Sequence, residues 1–123
     1  MKRLKARYGC PVELSLDLLG GKWKPVLLAR LKDRPLRYGE LRALVPGMSD
    51  KMLTQRLKDL QHGGLIRPRT RGNGSVYALT ARGESLRPVL QGLYDWGRTM
   101  AAVHGVDLNS LDAEVKPSRR ALA

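Results

Sequence analysis

Several residue types that mark other kinds of protein are rare in this chain of 123 residues. A single cysteine, Cys10, excludes an intramolecular disulfide and favours a reducing compartment. The two histidines, His62 and His104, have no carboxylate or cysteine at metal-ligand spacing. No apolar run is long enough to span a membrane, and none follows the basic start to form a signal peptide. We therefore expect a cytoplasmic protein with no metal, no cofactor and no enzymatic activity.

Acidic residues are also scarce, at 11 against 23 lysines and arginines, which gives a net charge of +12. Hydrophobic residues make up 42% of the chain, enough for one globular domain with a single core. The excess positive charges repel one another in a compact chain, and a polyanionic partner would offset that repulsion. Double-stranded DNA is the first candidate; RNA and an anionic membrane surface would also fit the charge alone.

Apolar residues recur mostly at helical spacing, and at strand spacing in one region. The pattern predicts a mainly α fold with a small two-stranded β wing, a dimeric winged helix-turn-helix. We expect a basic arm at 1–9, this domain at 10–105 and a flexible tail at 106–123. The predicted helices are 11–19, 22–32, 38–44, a fourth from the N-cap Ser49 to Gly63, and a last long helix capped by Thr80. The predicted strands are 65–70 and 75–79, joined by an Asn73-Gly74 turn.

The region from Tyr38 to Leu65 predicts a helix-turn-helix with its turn at Pro46-Gly47. In the second helix, Leu53, Leu57 and Leu60 share one side and predict its buried face. The polar residues on the other side and around the helix start are expected to contact DNA: Ser49, Asp50, Lys51, Thr54, Gln55, Arg56 and Lys58. The alternative is an ordinary amphipathic surface helix.

Three of these residues have a preferred partner on DNA. Gln55 suits an adenine edge, Lys51 can reach guanine, and Thr54 can contact a thymine methyl or a phosphate. Asp50 is repelled by phosphate, and we expect it to favour the helix dipole rather than to accept from a cytosine amino group. The first amides of the helix can bind a phosphate.

The predicted wing contains four arginines and no acid between residues 67 and 82. Arginines on a narrow hairpin can enter a minor groove. We expect DNA contacts from Arg69 and, at the tip, Arg71; the alternative is a solvated basic surface that adds only general affinity.

The first and last predicted helices carry more apolar residues than one small core can use. We expect them to form a homodimer interface that includes Leu14, Leu18, Leu90, Leu93, Trp96 and Met100. Cys10 precedes Pro11 at the start of the first helix, where a helix N-terminus stabilises a thiolate. It is either a redox sensor or a small residue at the helix start.

From about Cys10 to Met100 the chain resembles HxlR-type bacterial transcription regulators. The resemblance rests on Gly-Gly-Lys-Trp, on Ser-Asp-Lys-Met-Leu-Thr, and on the segments Cys10–Glu13, Leu18–Lys24, Arg37–Leu41, Pro46–Leu57 and Tyr77–Gly83. It implies a homodimeric winged helix that binds an inverted-repeat operator, usually near its own or a neighbouring gene. It also implies that Cys10 matches a cysteine with which some relatives sense quinones, aldehydes or oxidants. The wing departs from the family pattern, being shorter and lacking acidic and proline residues before its second strand.

Together these features predict a sequence-specific DNA-binding transcriptional regulator, more a repressor than an activator, with an oxidant or small-molecule effector still to be identified. The alternative is a sequence-nonspecific architectural protein, whose affinity would follow salt alone. An RNA-binding winged helix is a more distant alternative.

Overall fold

The computed structural model describes residues 3–108 of the chain. Its helices are α1 (Pro11–Leu19), α2 (Trp23–Asp33), α3 (Tyr38–Leu44), α4 (Asp50–His62), α5 (Ala81–Glu84) and α6 (Arg87–His104). Its strands are β1 (Ile66–Arg71) and β2 (Gly74–Leu79), which pair antiparallel. The predicted mainly α fold with a two-stranded wing is therefore confirmed. The predicted tail lies outside the described residues from residue 109 onward.

Side chains from α2, α3 and α4 form most of the core. Leu27, Leu28, Leu41 and Leu53 are completely buried, and Leu57 is 1% exposed. These residues lie at helical spacing on α2 and α4, so each helix turns one apolar face inward. The core thus holds α3 and α4 in a fixed relation to each other.

A short extended segment before α3 anchors the wing to the core. Leu36 and Tyr77 exchange both backbone hydrogen bonds, at 3.1 and 2.8 Å, in an isolated antiparallel bridge. Leu36 is also completely buried. The base of the hairpin is therefore bonded to the segment that leads into α3, a contact that the sequence pattern did not predict.

The hairpin turn differs from the predicted Asn73-Gly74 turn. Arg71 pairs with Gly74, so Gly72 and Asn73 are the two central residues. Gly72 has a φ of +59° and Asn73 does not have a positive φ, as in a type II′ turn. Glycine is needed at the first central position, because L residues rarely adopt a positive φ there.

The predicted last helix is two helices, α5 and α6. Thr80 caps α5, since its Oγ1 accepts from the amide of Gly83 at 3.1 Å. Pro88 lies at the start of α6, where its missing N–H costs nothing, but its ring disfavours a continuous helix through the preceding residues. Gly83 is buried against the carbonyl of Leu65, where a Cβ atom would clash. The break lets α5 close the end of the hairpin before α6 packs against α2.

Candidate nucleic-acid interface

Helix α4 begins at a capped turn that packs against the core. The Ser49 hydroxyl accepts from the amide of Met52 at 3.1 Å, as predicted for an N-cap. Val45 and Met48 in the preceding turn are 2% and 1% exposed, so the turn itself is held by the core. The first amides of α4 lack an intrahelical acceptor and point away from the helix start, a geometry suited to a phosphate.

The two faces of α4 separate as the sequence predicted. Leu53, Leu57 and Leu60 are buried. The exposed side chains are those of Lys51, Thr54, Gln55, Lys58 and His62. This exposed face carries two lysines and three hydrogen-bonding side chains, the chemistry needed to approach phosphates and base edges.

Asp50 has a role that the sequence did not reveal. Its Oδ1 accepts from the hydroxyl of Tyr38 and from Nε of Arg42, both at 2.9 Å. The hydrogen bond from Tyr38, and then that from Arg42, hold the pKa of Asp50 below its usual value. Asp50 thus ties the start of α4 to α3 and has its charge offset by Arg42. Its position in the first turn still favours the helix dipole.

Gln55 and Arg56 both face Asp59, one turn along α4. Gln55 donates from Nε2 to Asp59 Oδ1 at 3.1 Å, and Arg56 Nε lies 3.6 Å from Asp59 Oδ2. Asp59 is 8% exposed, so its carboxylate needs these partners. Arg56 is half-buried, and its Nε makes no hydrogen bond in the described part of the chain. Gln55 is exposed, and its bond to Asp59 uses one of its two amide hydrogens, so its second N–H and its Oε1 remain available.

The three arginines of β1 are all exposed. Arg67, Arg69 and Arg71 alternate along the strand, so they lie on the same face of the wing. Arg37 donates from Nη2 to the backbone oxygen of Arg71 at 3.0 Å. The tip of the wing is therefore braced against the residue that precedes α3.

Glu40 fixes the start of α3 and one of the neighbouring arginines. Its Oε1 accepts from the backbone amide of Arg37 at 2.8 Å, and its Oε2 lies 3.2 Å from Nη1 of Arg34. The amide of Arg37 first, and then the guanidinium of Arg34, hold the pKa of Glu40 below its usual value. An ionised Glu40 thus stabilises the turn that positions Arg37 beneath the wing.

Sequence reasoning missed Arg37, Tyr38 and Arg42 as supports of this surface. Arginine is not an N-cap residue, so Arg37 gave no local signal. Arg42 and Asp50 carry opposite charges eight residues apart on either side of the helix-turn-helix turn, which is the one signal that could have found their contact.

The predicted dimer residues divide into three groups by exposure. Leu18, Leu93 and Trp96 are 49%, 50% and 65% exposed, whereas Leu14 and Met100 are half-buried. Leu90 is 1% exposed and belongs to the core of its own chain, which corrects its expected place in an interface. Around α6, residue 90 lies about 120° from Trp96 and about 140° from Val103, so Leu90 turns toward the core while the exposed stripe turns outward.

Cys10 is exposed and occupies the N-cap position of α1. Its side chain makes no cap hydrogen bond. The basic arm before it is held to α1 by Tyr8, whose hydroxyl donates to Oδ2 of Asp17 at 2.9 Å. Within residues 3–108 there is no cluster of His, Cys, Asp and Glu that could hold a metal ion. No described helix is both long and apolar enough to cross a membrane.

The family profile, the related sequences and the related structures that match this chain all describe transcriptional or redox regulators or helix-turn-helix proteins. The HxlR-like helix-turn-helix family profile matches residues 18–104. The uncharacterized HTH-type transcriptional regulator YdeP of Bacillus subtilis (strain 168) is 41% identical over 92 residues, which cover 72% of each chain. The reduced form of the redox regulator HypR superposes with a TM-score of 0.70 at 31% identity, covering 78% of this chain and 98% of that one. The quinone-bound YodB of B. subtilis gives a TM-score of 0.61 at 32% identity, covering 73% and 99%.

Proposed function

This chain belongs to the HxlR-like helix-turn-helix family of DNA-binding transcriptional regulators, and we propose that it is a homodimeric repressor of an inverted-repeat operator. The observation that carries the proposal is the exposed polar face of α4, opposite a buried leucine stripe and next to a wing of arginines. Repression would follow from occlusion of RNA polymerase at the operator.

Base reading is assigned to α4. Lys51, Thr54, Gln55 and Lys58 would face the major groove, while Ser49 presents the first helical amides to a phosphate. The amide of Gln55 can donate to and accept from the edge of adenine. In the structure, its Nε2 donates to Asp59, one turn along the helix. Two side chains take supporting roles: Asp50 sets the angle between α3 and α4, and Arg56 stays close to Asp59.

The wing is assigned to the DNA backbone and the neighbouring minor groove. Arg69 and Arg71 are exposed on one face, and the contact between Arg37 and the tip holds that face in place. Arginines in a minor groove gain from its negative potential, and the gain is largest where the groove is narrow. The short Gly72-Asn73 turn limits how deeply this wing can reach.

Dimerisation is assigned to the apolar surface of α1 and α6. Leu93, Trp96 and Val103 lie within one stripe of α6 and are each at least half exposed. Exposed apolar residues that form a contiguous stripe favour a protein partner, and a second copy of the chain presents the same stripe. Two α4 helices related by a twofold axis would then enter successive major grooves.

Cys10 is proposed as a thiol that responds to oxidants or electrophiles. It is exposed at the start of α1, one of the helices assigned to the dimer, so an adduct there would disturb the subunit contact. The similarity to HypR, described as a redox regulator, and to YodB with a bound quinone supports this assignment.

The direct test is fluorescence anisotropy of the purified protein on its own upstream intergenic DNA and on a scrambled duplex at about 0.15 M salt. We expect a preference of roughly a thousandfold or more for the upstream sequence. Equal and steeply salt-dependent binding to both duplexes would favour the nonspecific architectural alternative, which the charge of +12 also suits.

A further inference from the structure

A cavity of about 390 Å³ lies between the end of α4 and the helices that surround it. Its walls come from Leu4 of the N-terminal arm, α1, α2, the C-terminal end of α4 with the segment that follows it, and the junction of α5 with α6. The volume falls in the range of sites for small organic ligands. The walls are mostly apolar and include Leu18, Leu19, Leu60, Leu65, Leu86 and Val89.

One lysine with a mostly buried side chain lines this cavity. Lys24 is 6% exposed, and no hydrogen bond or ion pair of its side chain occurs within the described part of the chain. Its Nζ would lie 3.1 Å from a Cβ atom at Gly20, where glycine also provides a φ of +58°. The absence of a side chain at Gly20 therefore makes room for the ammonium group. The stem of Lys24 is packed against its neighbours while its ammonium group faces the cavity without an anionic partner, so this position is suited to receiving one.

The other charged groups of the cavity already have partners. Asp17 accepts from the hydroxyl of Tyr8 at 2.9 Å. Asp59 accepts from Gln55 at 3.1 Å and lies 3.6 Å from Nε of Arg56. Arg82 donates from Nη1 to the carbonyl of Gly63 at 3.2 Å. The ammonium group of Lys24 is thus the charged group of the cavity that could pair with an anionic ligand.

From the apolar walls and this ammonium group, we infer that the cavity binds a small organic anion. The ligand would have an aromatic or aliphatic body against the leucines and a carboxylate or phenolate on Lys24. An anion of this class gains a charge-assisted hydrogen bond in a site of low dielectric constant, whereas a neutral analogue of the same shape does not.

The cavity also contacts the helix that is assigned to base reading. Asp59 and Leu60 of α4 form part of its wall, and Asp59 holds the amide of Gln55. A ligand that moves Asp59 would change the position of Gln55 on the opposite surface. Ligand and operator would then alter each other's affinity by the same factor. This regulatory half of the inference rests on the proposed function; binding of the anion does not.

The test is isothermal titration calorimetry of the full-length chain without DNA. The probes are 2-naphthoate and 4-phenylbutyrate, with 2-naphthamide as the neutral match for the first. We expect the acids to bind at least about tenfold more tightly than the amide. Lys24→Met should remove that preference and leave binding of the amide unchanged. Lys22→Met removes an exposed lysine two residues earlier and should change nothing.

Three results would overturn the site: no binding of either acid at millimolar concentration, equal affinity for the naphthoate and its amide, or undiminished binding of the acids to Lys24→Met. If Lys24→Met fails to fold, Ser85→Trp decides the matter. Ser85 is exposed at the junction of α5 and α6 and lines the cavity, so an indole there should block the acids while the circular dichroism spectrum is retained.

The regulatory half is tested by anisotropy on operator DNA with and without saturating 2-naphthoate. We expect the operator affinity to change at least threefold in the native chain and not in Lys24→Met. Unchanged affinity in the native chain would overturn the regulatory half alone. A chain that binds the acid but no DNA would refute the proposed function, and one that binds DNA but neither acid would refute the cavity.

Discussion

Arg42 donates from Nε to Oδ1 of Asp50 at 2.9 Å, which joins α3 to the first residue of α4. The carboxylate accepts a second hydrogen bond from Tyr38, so one acidic side chain connects both ends of α3 with the start of α4. An acid next to the assigned DNA surface would weaken binding if its charge were unpaired. Here the arginine offsets the charge, and the pair sets the angle at which α4 is presented.

Asp50→Asn should reveal this pair through the pH dependence of stability. The pKa of Asp50 in the folded chain is held below its ordinary value of 3.8, by Tyr38 first and then by Arg42. Its contribution to stability is therefore present above that value and is lost as the pH falls through the lower pKa of the folded state.

Thermal melts of the native chain and Asp50→Asn between pH 2.5 and 7 should accordingly differ most near neutral pH and converge in acid. Tyr38→Phe, which removes the donor with the largest effect, should retain part of the difference. Parallel melting curves across the whole pH range would show that the ionised carboxylate contributes nothing.

Gln55→Ala should lower discrimination between operator and random DNA by about 1–3 kcal/mol, because a bidentate contact to a base edge is lost. Binding to random DNA should stay nearly constant. Gln91→Ala is the matched control, since Gln91 makes the same bond one turn along α6, from Nε2 to Asp95 Oδ1 at 2.9 Å. Anisotropy on both duplexes measures the ratio, and an unaltered ratio in Gln55→Ala would remove base reading from this residue.

Arg71→Ala should weaken binding to operator and random DNA alike and reduce the salt slope by about one unit, because one phosphate contact is lost. The backbone oxygen that accepts from Arg37 is retained in this variant. Arg87→Ala removes an exposed arginine that pairs with Glu84 far along the chain and should leave the slope unchanged. Equal slopes for all three proteins would exclude a wing contact at Arg71.

Trp96→Glu should convert the proposed dimer into a single chain of 13.7 kDa, because it introduces a charge into the exposed apolar stripe of α6. Light scattering after size exclusion measures the mass. Ala102→Glu introduces the same charge at an exposed position on another side of α6 and should remain dimeric. A native chain that already elutes as a monomer, or a dimeric Trp96→Glu, would contradict the assigned interface.

Cys10→Ser should make operator binding insensitive to benzoquinone and to diamide, while the native chain should lose at least about tenfold in affinity after treatment. The chain has no other cysteine, so any remaining response must come from another side chain. Mass spectrometry of the treated native chain identifies the adduct. Full labelling of Cys10 without a change in DNA affinity would separate reactivity from regulation.

Local patterns in the sequence predicted most of the fold. Residues 11–19 and 38–44 form helices with the predicted bounds, and Ser49 caps α4 as expected. These features depend on neighbours within one or two turns, such as Pro11 at a helix start. The prediction of one continuous last helix was wrong, although Pro88, which disfavours a continuous helix, is a local signal for the break between α5 and α6.

Contacts between segments distant in the chain were harder to predict. The bridge between Leu36 and Tyr77 joins residues 41 positions apart, and the bond from Arg37 to the carbonyl of Arg71 involves a backbone atom that every residue has. Residue type cannot identify such an acceptor. The same limit explains why Leu90 was expected at the surface, since periodicity gives the apolar side of a helix but not which neighbour covers it.

The wing is bonded to the segment before α3 at two places, through the bridge between Leu36 and Tyr77 and through the hydrogen bond from Arg37 to the tip, and these contacts fix its position relative to the helix-turn-helix. If the wing and α4 both contact DNA as proposed, the distance between them is set in the free protein, and the DNA would have to adapt to that distance. Sequences whose minor groove is already narrow at the right spacing from the major groove would bind without paying for deformation. A fixed distance between wing and α4 would therefore select among base pairs that no side chain touches. The sequence flanking an operator would then affect the binding affinity as much as the sequence at its centre.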